Sequence, residues 1–163
     1  MRTYKLFRRA SDGLHPLYVL ADKTVPLGQW VPTEIGPLAD PTHVKARGSV
    51  LSLRPGWHST EIPFTDWIGK RGEDGRLYQR PDTVWAECEV EGEQIQPEGR
   101  WGSRSIPSGW YYFRTNPKQK WPWIISDRIR INRVLSREEV EELCAQAGVK
   151  AQPMYAPSPQ EGD

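Results

Sequence analysis

The eight residues LRPGWHST, 53 to 60, place an Arg, a Pro-Gly turn, a Trp, a His and two hydroxyls in one short run. Proline fixes φ and glycine admits positive φ, so the chain can turn sharply and project Trp57 and His58 from a corner. Histidine exchanges a proton near neutral pH. The forked guanidinium of Arg54 suits phosphate or carboxylate. Ser59 and Thr60 add hydroxyls that orient a sugar or cap a turn. Two readings stand side by side. One is a binding or catalytic rim. The other is a structural corner, with Trp57 in the core and His58 bonded to a backbone carbonyl.

A second constellation is Glu87 and Glu89, two carboxylates on the polar face of a strand beside a Trp85 that the pattern leaves exposed. Such a pair serves acid–base chemistry, holds a ribose or a cation, or is simply solvated. A third lies in residues 100 to 133. Eight basic side chains gather there: Arg100, Arg104, Arg114, Lys118, Lys120, Arg128, Arg130 and Arg133. Asp127 is the one acid, and Trp101, Trp110, Tyr111, Tyr112, Phe113, Trp121 and Trp123 are interleaved. Cations attract phosphates, and a base stacked on an aromatic gains about 1–3 kcal/mol. Arg104, Arg114, Lys118, Lys120, Trp121, Arg128 and Arg130 are the nucleic-acid-binding candidates. Half of the aromatics are nonetheless expected in the core, because a strand buries alternate residues.

Other chemistries lack their motifs. No G-x-G-x-x-G, Walker A loop or G-x-S-x-G is present. His58 and Glu61 lie three apart with no further ligand nearby, and His15 and His43 sit in turn-like contexts, so no metal is expected. Overall charge is balanced, 22 Lys and Arg against 21 Asp and Glu, so any polyanion site must come from segregation along the chain.

The elements that must position these groups are short. TYKLFRR reads as a strand with Tyr4 and Leu6 on one face and Lys5 and Phe7 on the other. LYVL, 17 to 20, is a strand candidate, 25 to 34 is extended, and 36 to 48 is a loop. SVLSLRPGWHST begins as a strand and stops at Pro55-Gly56. The run from Ile62 to Asp82 reads as loop, with a polar tip RGEDGR. In TVWAECEV, Val84, Ala86, Cys88 and Val90 share one face and Trp85, Glu87 and Glu89 the other. SGWYYFRT and IISDRIRINRVL are further strands. Ser136 and Glu139 form a capping box for a helix whose apolar stripe is Val140, Leu143, Cys144 and Ala147, with Gly148 as its stop. The expected fold is α+β, a single domain with a largely antiparallel or mixed sheet of short strands and one C-terminal amphipathic helix. Residues 1 to 149 form the domain, and 150 to 163 a Pro-rich, disordered tail.

The N-terminus lacks an apolar h-region and no 18-residue apolar run exists, so the expectation is a cytoplasmic protein with no membrane contact. Cys88 and Cys144 are expected reduced and buried.

The segments YKLFR, RPGWH and VWAECEV resemble a group of small uncharacterised phage and mobile-element proteins, over roughly residues 3 to 135. More distantly, their order resembles the ADP-ribosyltransferase fold. That resemblance implies NAD as cofactor, with Arg8 as the first contact. Trp57, His58, Ser59 and Thr60 form the second, with Arg54 beside them, and Glu87 or Glu89 bonds the nicotinamide ribose. Cleavage of the glycosidic bond develops oxocarbenium character that a carboxylate stabilises, while Arg neutralises pyrophosphate. The chain departs from that pattern in having no Ser-Thr-Ser run and no first-strand His. Three functions therefore stay open. The first is an accessory protein with an NAD site (catalytic His58, Glu87, Glu89) that modifies a host target. The second is a nucleic-acid-binding protein or small RNase using residues 100 to 133. The third is a non-catalytic inhibitor of a host defence complex. Oligomeric state is left open.

Overall fold

Alternation in two strands sets the architecture. The computed structural model describes residues 1–17, 21–34, 55–97, 99, 103 and 105–156. The strands, in chain order, are β1 (Arg2–Ala10), β2 (Gly13–His15), β3 (Trp30–Pro32), β4 (Trp57–Ser59), β5 (Lys70–Arg71), β6 (Leu77–Tyr78), β7 (Thr83–Glu89), β8 (Trp110–Phe113), β9 (Trp123–Ser126) and β10 (Arg128–Val134). Among the described residues one helix, α1 (Arg137–Gln146), follows. β1 and β7 pair antiparallel from Arg2↔Glu89 to Arg8↔Thr83, which aligns two period-2 patterns. Thr3, Lys5 and Phe7 therefore share a face with Cys88, Ala86 and Val84, and Tyr4 and Leu6 share the opposite face with Glu87 and Trp85.

This pair is the centre of a five-stranded sheet ordered β2-β1-β7-β10-β3, and a three-stranded sheet is ordered β4-β9-β8. Every pairing between named strands is antiparallel. The sheets are stitched where Tyr4 and Thr60 exchange backbone bonds of 2.7 and 2.8 Å. They enclose one core of Phe7, Leu14, Val25, Ala86, Cys88, Val90, Ile124, Ile129 and Ile131, with Trp57 and Trp110 against it. The outer face of the first sheet carries Tyr4, Leu6 and Trp85 beneath Val140 and Cys144 of α1. The outer face of the second carries Tyr111, Phe113, Trp123 and Ile125, covered by Trp67 and Ile68.

The capping box forms as expected: the Glu139 amide donates to Ser136 Oγ, and the Ser136 amide donates to Glu139 Oε1. The helix begins directly after β10, so it folds back over β1 and β7. That return buries Trp85 to 3 % exposure, correcting the expectation that its indole is free. Burial of such a ring contributes on the order of 2–3 kcal/mol. Both cysteines are free and buried.

Two further expectations are corrected. The run after Ile62 contains a hairpin, Lys70–Arg71 against Leu77–Tyr78, closed around Gly75 at φ +80° and by the Tyr78 hydroxyl on Asp74. After Pro55-Gly56 the chain forms a strand, Trp57–Ser59, and the strand expected before that turn, at 49 to 54, lies outside the described residues. The segment expected as a tail from residue 150 is docked through Tyr155. The Gln79 amide donates to the Pro153 carbonyl, the Tyr155 amide donates back to Gln79, and Ala151 and Gln152 are buried. The Lys70 ammonium also lies 4.2 Å from the Tyr155 ring centre. The expected strand at 18 to 20, the loop at 36 to 48 and the residues from 157 onward lie outside the described residues. Among the described residues, no helix is long and apolar enough to cross a membrane.

The entry to β8 depends on one glycine. Gly109 has φ +136°, and a Cβ there would sit 2.2 Å from the Glu93 carbonyl oxygen. Gly109→Ala is expected to lower unfolding free energy by more than about 2 kcal/mol in urea titration, against about 1 kcal/mol for the cap variant Ser136→Ala. An unshifted Gly109→Ala midpoint would show that β8 does not lie against Glu93.

Candidate functional site

The corner is built to hold strands together. Gly56 adopts φ +142°, and a Cβ there would meet Ile125 Cγ2 at 2.6 Å, so the turn needs its glycine. Trp57 points into the main core, and its indole N–H donates to the Val31 carbonyl at 2.9 Å. Ser59 Oγ lies 3.5 Å from the Ile124 carbonyl, and the Thr60 hydroxyl lies 2.6 Å from that of Ile62. Both residues are buried, so neither hydroxyl is presented to a sugar. His58 alternates to the other side of β4. Its ring meets Trp123 edge-on at 5.9 Å, and Nδ1 lies 3.2 Å from the Gly56 carbonyl.

The two carboxylates lie elsewhere. Glu87 and Glu89 sit on the outer face of β7, where β10 carries an extra residue between Ile131 and Arg133. That bulge aims Asn132 Nδ2 at both carboxylates, 3.3 Å from each. Arg2 and Arg133 approach Glu87 at 3.6 and 3.7 Å. Between β4 and β7 runs β1, whose outward Tyr4 and Leu6 are buried under α1. His58 and the carboxylates thus lie on different strands, and among the described residues the carboxylates bond to Asn132 while the imidazole meets Trp123 and the Gly56 carbonyl. Arg8 is directed away from both, donating to the Ala21 carbonyl at 3.0 Å. Arg54 and His43 lie outside the described residues, as do Arg100, Trp101 and Arg104. Of the residues that the transferase resemblance groups around NAD, Arg8, His58 and Glu87 bond to different neighbours among the described residues.

The basic segment divides in two. Arg128 pairs with Glu91 at 3.0 Å, and Arg130 stacks 5.0 Å over Trp30. Arg133 is held by Glu139. Tyr111, Phe113 and Trp123 are core. The remaining cations, Arg114, Lys118 and Lys120, are exposed on the β8–β9 connection, residues 114 to 122. Among the described residues none of the three has an ion-pair partner. Buried Gln119 organises this loop. Its amide donates to the Asn116 carbonyl, its Oε1 accepts from Thr115 N at 2.9 Å, its Nε2 donates to the Trp121 carbonyl at 2.7 Å, and its carbonyl accepts from Arg114 Nε at 2.9 Å. Asn116 Oδ1 accepts from the Lys118 amide, an Asx turn. Lys120 lies 5.4 Å from the half-buried ring of Trp121.

Sequence reasoning passed over Lys5. Its signal was a charge placed in the inward row Thr3, Lys5, Phe7. The ammonium donates to the His58 carbonyl at 2.8 Å and lies 5.6 and 5.7 Å from the Phe7 and Trp57 rings. Desolvation lowers its pKa to about 8, and burial pushes the nearby Cys88 thiol up to about 12. His15, buried, contacts Asp12 Oδ1 at 2.7 Å and the Ala21 carbonyl at 2.8 Å, a local clamp on the β1–β2 turn. Among the described residues, no group of three His, Cys, Asp or Glu is placed to hold a metal ion.

Comparison with family models, with curated proteins and with solved structures finds no match in any of the three. The resemblance to phage proteins and to ADP-ribosyltransferases therefore has only its short motifs behind it.

The buried amine makes stability depend on pH. Unfolded, Lys5 titrates near 10.5; folded, near 8. Between those values the unfolded chain holds a proton that the folded chain has lost, so stability rises with pH across that window. The rise is at most about 3 kcal/mol, less where solvent reaches the partly buried ammonium. Urea titrations of wild type and Lys5→Met from pH 7 to 10.5 are expected to differ by this slope. Parallel curves would show that Lys5 is solvated.

Proposed function

We propose that the protein is a nucleic-acid-binding module whose contact element is the β8–β9 loop. One observation carries the reading: a loop fixed from within by Gln119 holds three exposed cations that have no ion-pair partner among the described residues, and one of them, Lys120, lies 5.4 Å from the Trp121 ring. The loop's rigidity lowers the entropy lost when a backbone docks. The chain as a whole carries a formal charge of only +1, so attraction for phosphates is local and contact is limited to a few nucleotides. A single strand suits this element better than a duplex, because an aromatic flanks the cations and can stack on an unpaired base.

Binding by three cations gives a modest affinity and a defined salt response. For a single strand, the slope of log K against log salt is about −0.7 per phosphate, hence roughly −2 here. Fluorescence anisotropy with oligo-U RNA and oligo-dT, from about 20 to 200 mM salt, measures it. Lys118→Glu with Lys120→Glu is expected to abolish binding. Lys118→Gln with Lys120→Gln is expected to bring the slope to about −0.7. Absence of binding at low salt, or binding that ignores salt, would exclude the proposal.

A further inference from the structure

We propose that the cleft between residues 64–66, residues 76–77 at the start of β6 and residues 150–153 is a binding site for a small apolar α-amino acid. The cleft encloses about 260 Å³. That is just below the roughly 300–1,000 Å³ of sites for drug-sized ligands, so its occupant is small. Its three walls are far apart in sequence, and hydrogen bonds hold them in place. The Gln79 amide, just after β6, donates to the Pro153 carbonyl at 2.8 Å. Gln152 Nε2 donates to the Ile68 carbonyl at 3.0 Å, and Arg137 Nη2 donates to the Gln152 carbonyl at 2.7 Å. A cleft formed before its ligand arrives lowers the ordering cost of binding.

The lining sorts into two chemistries. Phe64, Leu77 and Pro153 are half-buried and supply an apolar wall. Asp66, Arg76 and Lys150 also line the cleft and are exposed. Among the described residues none of these three charges has an ion-pair partner. The Arg76 guanidinium instead lies 5.9 Å from the Tyr78 ring. Two cations and one acid around an apolar wall complement a zwitterion that carries a hydrocarbon side chain. A carboxylate suits the planar fork of Arg76, with Lys150 as a second point charge. An ammonium suits Asp66, and the side chain covers Phe64 and Leu77. Asp66 repels a simple polyanion, so this site goes beyond the nucleic-acid reading of the β8–β9 loop and does not rest on it.

Calorimetric titration of the full chain with L-phenylalanine and L-leucine at low salt is expected to show saturable binding. Phenylethylamine lacks the carboxylate, and N-acetyl-L-phenylalanine lacks the ammonium. Each is expected to bind at least about tenfold more weakly than L-phenylalanine, the loss of one charge-assisted contact. Arg76→Gln with Lys150→Gln is expected to erase the preference for L-phenylalanine over phenylethylamine. Asp66→Asn is expected to erase the preference over N-acetyl-L-phenylalanine. Backbone amide chemical shifts are expected to move on ligand addition at residues 64–66, 76–77 and 150–153. Three results would each overturn the proposal: no saturable binding of either amino acid, equal affinity for L-phenylalanine and its two truncated forms, or shifts confined to other segments.

Discussion

The register between β1 and β7 governs this molecule. Seven paired residues bring two alternating patterns into phase, and a shift by one would exchange inner and outer faces along both strands. With the observed register, Phe7, Ala86 and Cys88 meet Ile131 inside, and Tyr4, Leu6 and Trp85 form the floor on which α1 rests. The same phase forces Lys5 inward and Glu87 outward. The amine and the carboxylates are thereby separated by the sheet itself, which is why neither neutralises the other.

The polar groups of the corner are consumed in holding strands together. Trp57 bonds β3, Ser59 bonds β9, and the Thr60 backbone stitches the two sheets at Tyr4. A run of residue types suited to catalysis is here a run suited to a junction, because the donors that orient a ligand equally satisfy buried carbonyls. Asn132 does the same for Glu87 and Glu89. Placed by a bulge, it draws both carboxylates into a local network with Arg2 and Arg133.

Among the described residues, charge segregation survives folding in the β8–β9 loop. Arg128 finds Glu91 and Arg133 finds Glu87, acids distant in sequence, and Arg130 finds Trp30, another partner that linear order hides. Among the described residues, the cations of the β8–β9 loop have no such partners. Their neighbours are polar groups that hold the turn in shape, so the side chains are left to solvent and to whatever anion approaches.

Local physics made much of this legible in the sequence. The faces of β1 and β7 follow from period-2 alternation, the helix from Ser136 and Glu139, and its end from Gly148 at φ +78°. These depend on residues a few positions apart. What covers each face depended on long-range pairing, and there the reading diverged. Trp85 looked exposed until α1 returned over it, and residues 151 to 155 looked free until the Gln79 backbone, just after β6, offered them a partner. The convergence of His58 with Glu87 was a matter of tertiary structure as well. Residue types can name a chemistry, but only the order of strands decides which side chains meet. For this chain the sequence alone determined that Lys5 shares a face with Phe7, since alternation is a property of one strand. The tertiary structure decided that its neighbours are two rings and a carbonyl, because those come from β4 and from the packing of two sheets.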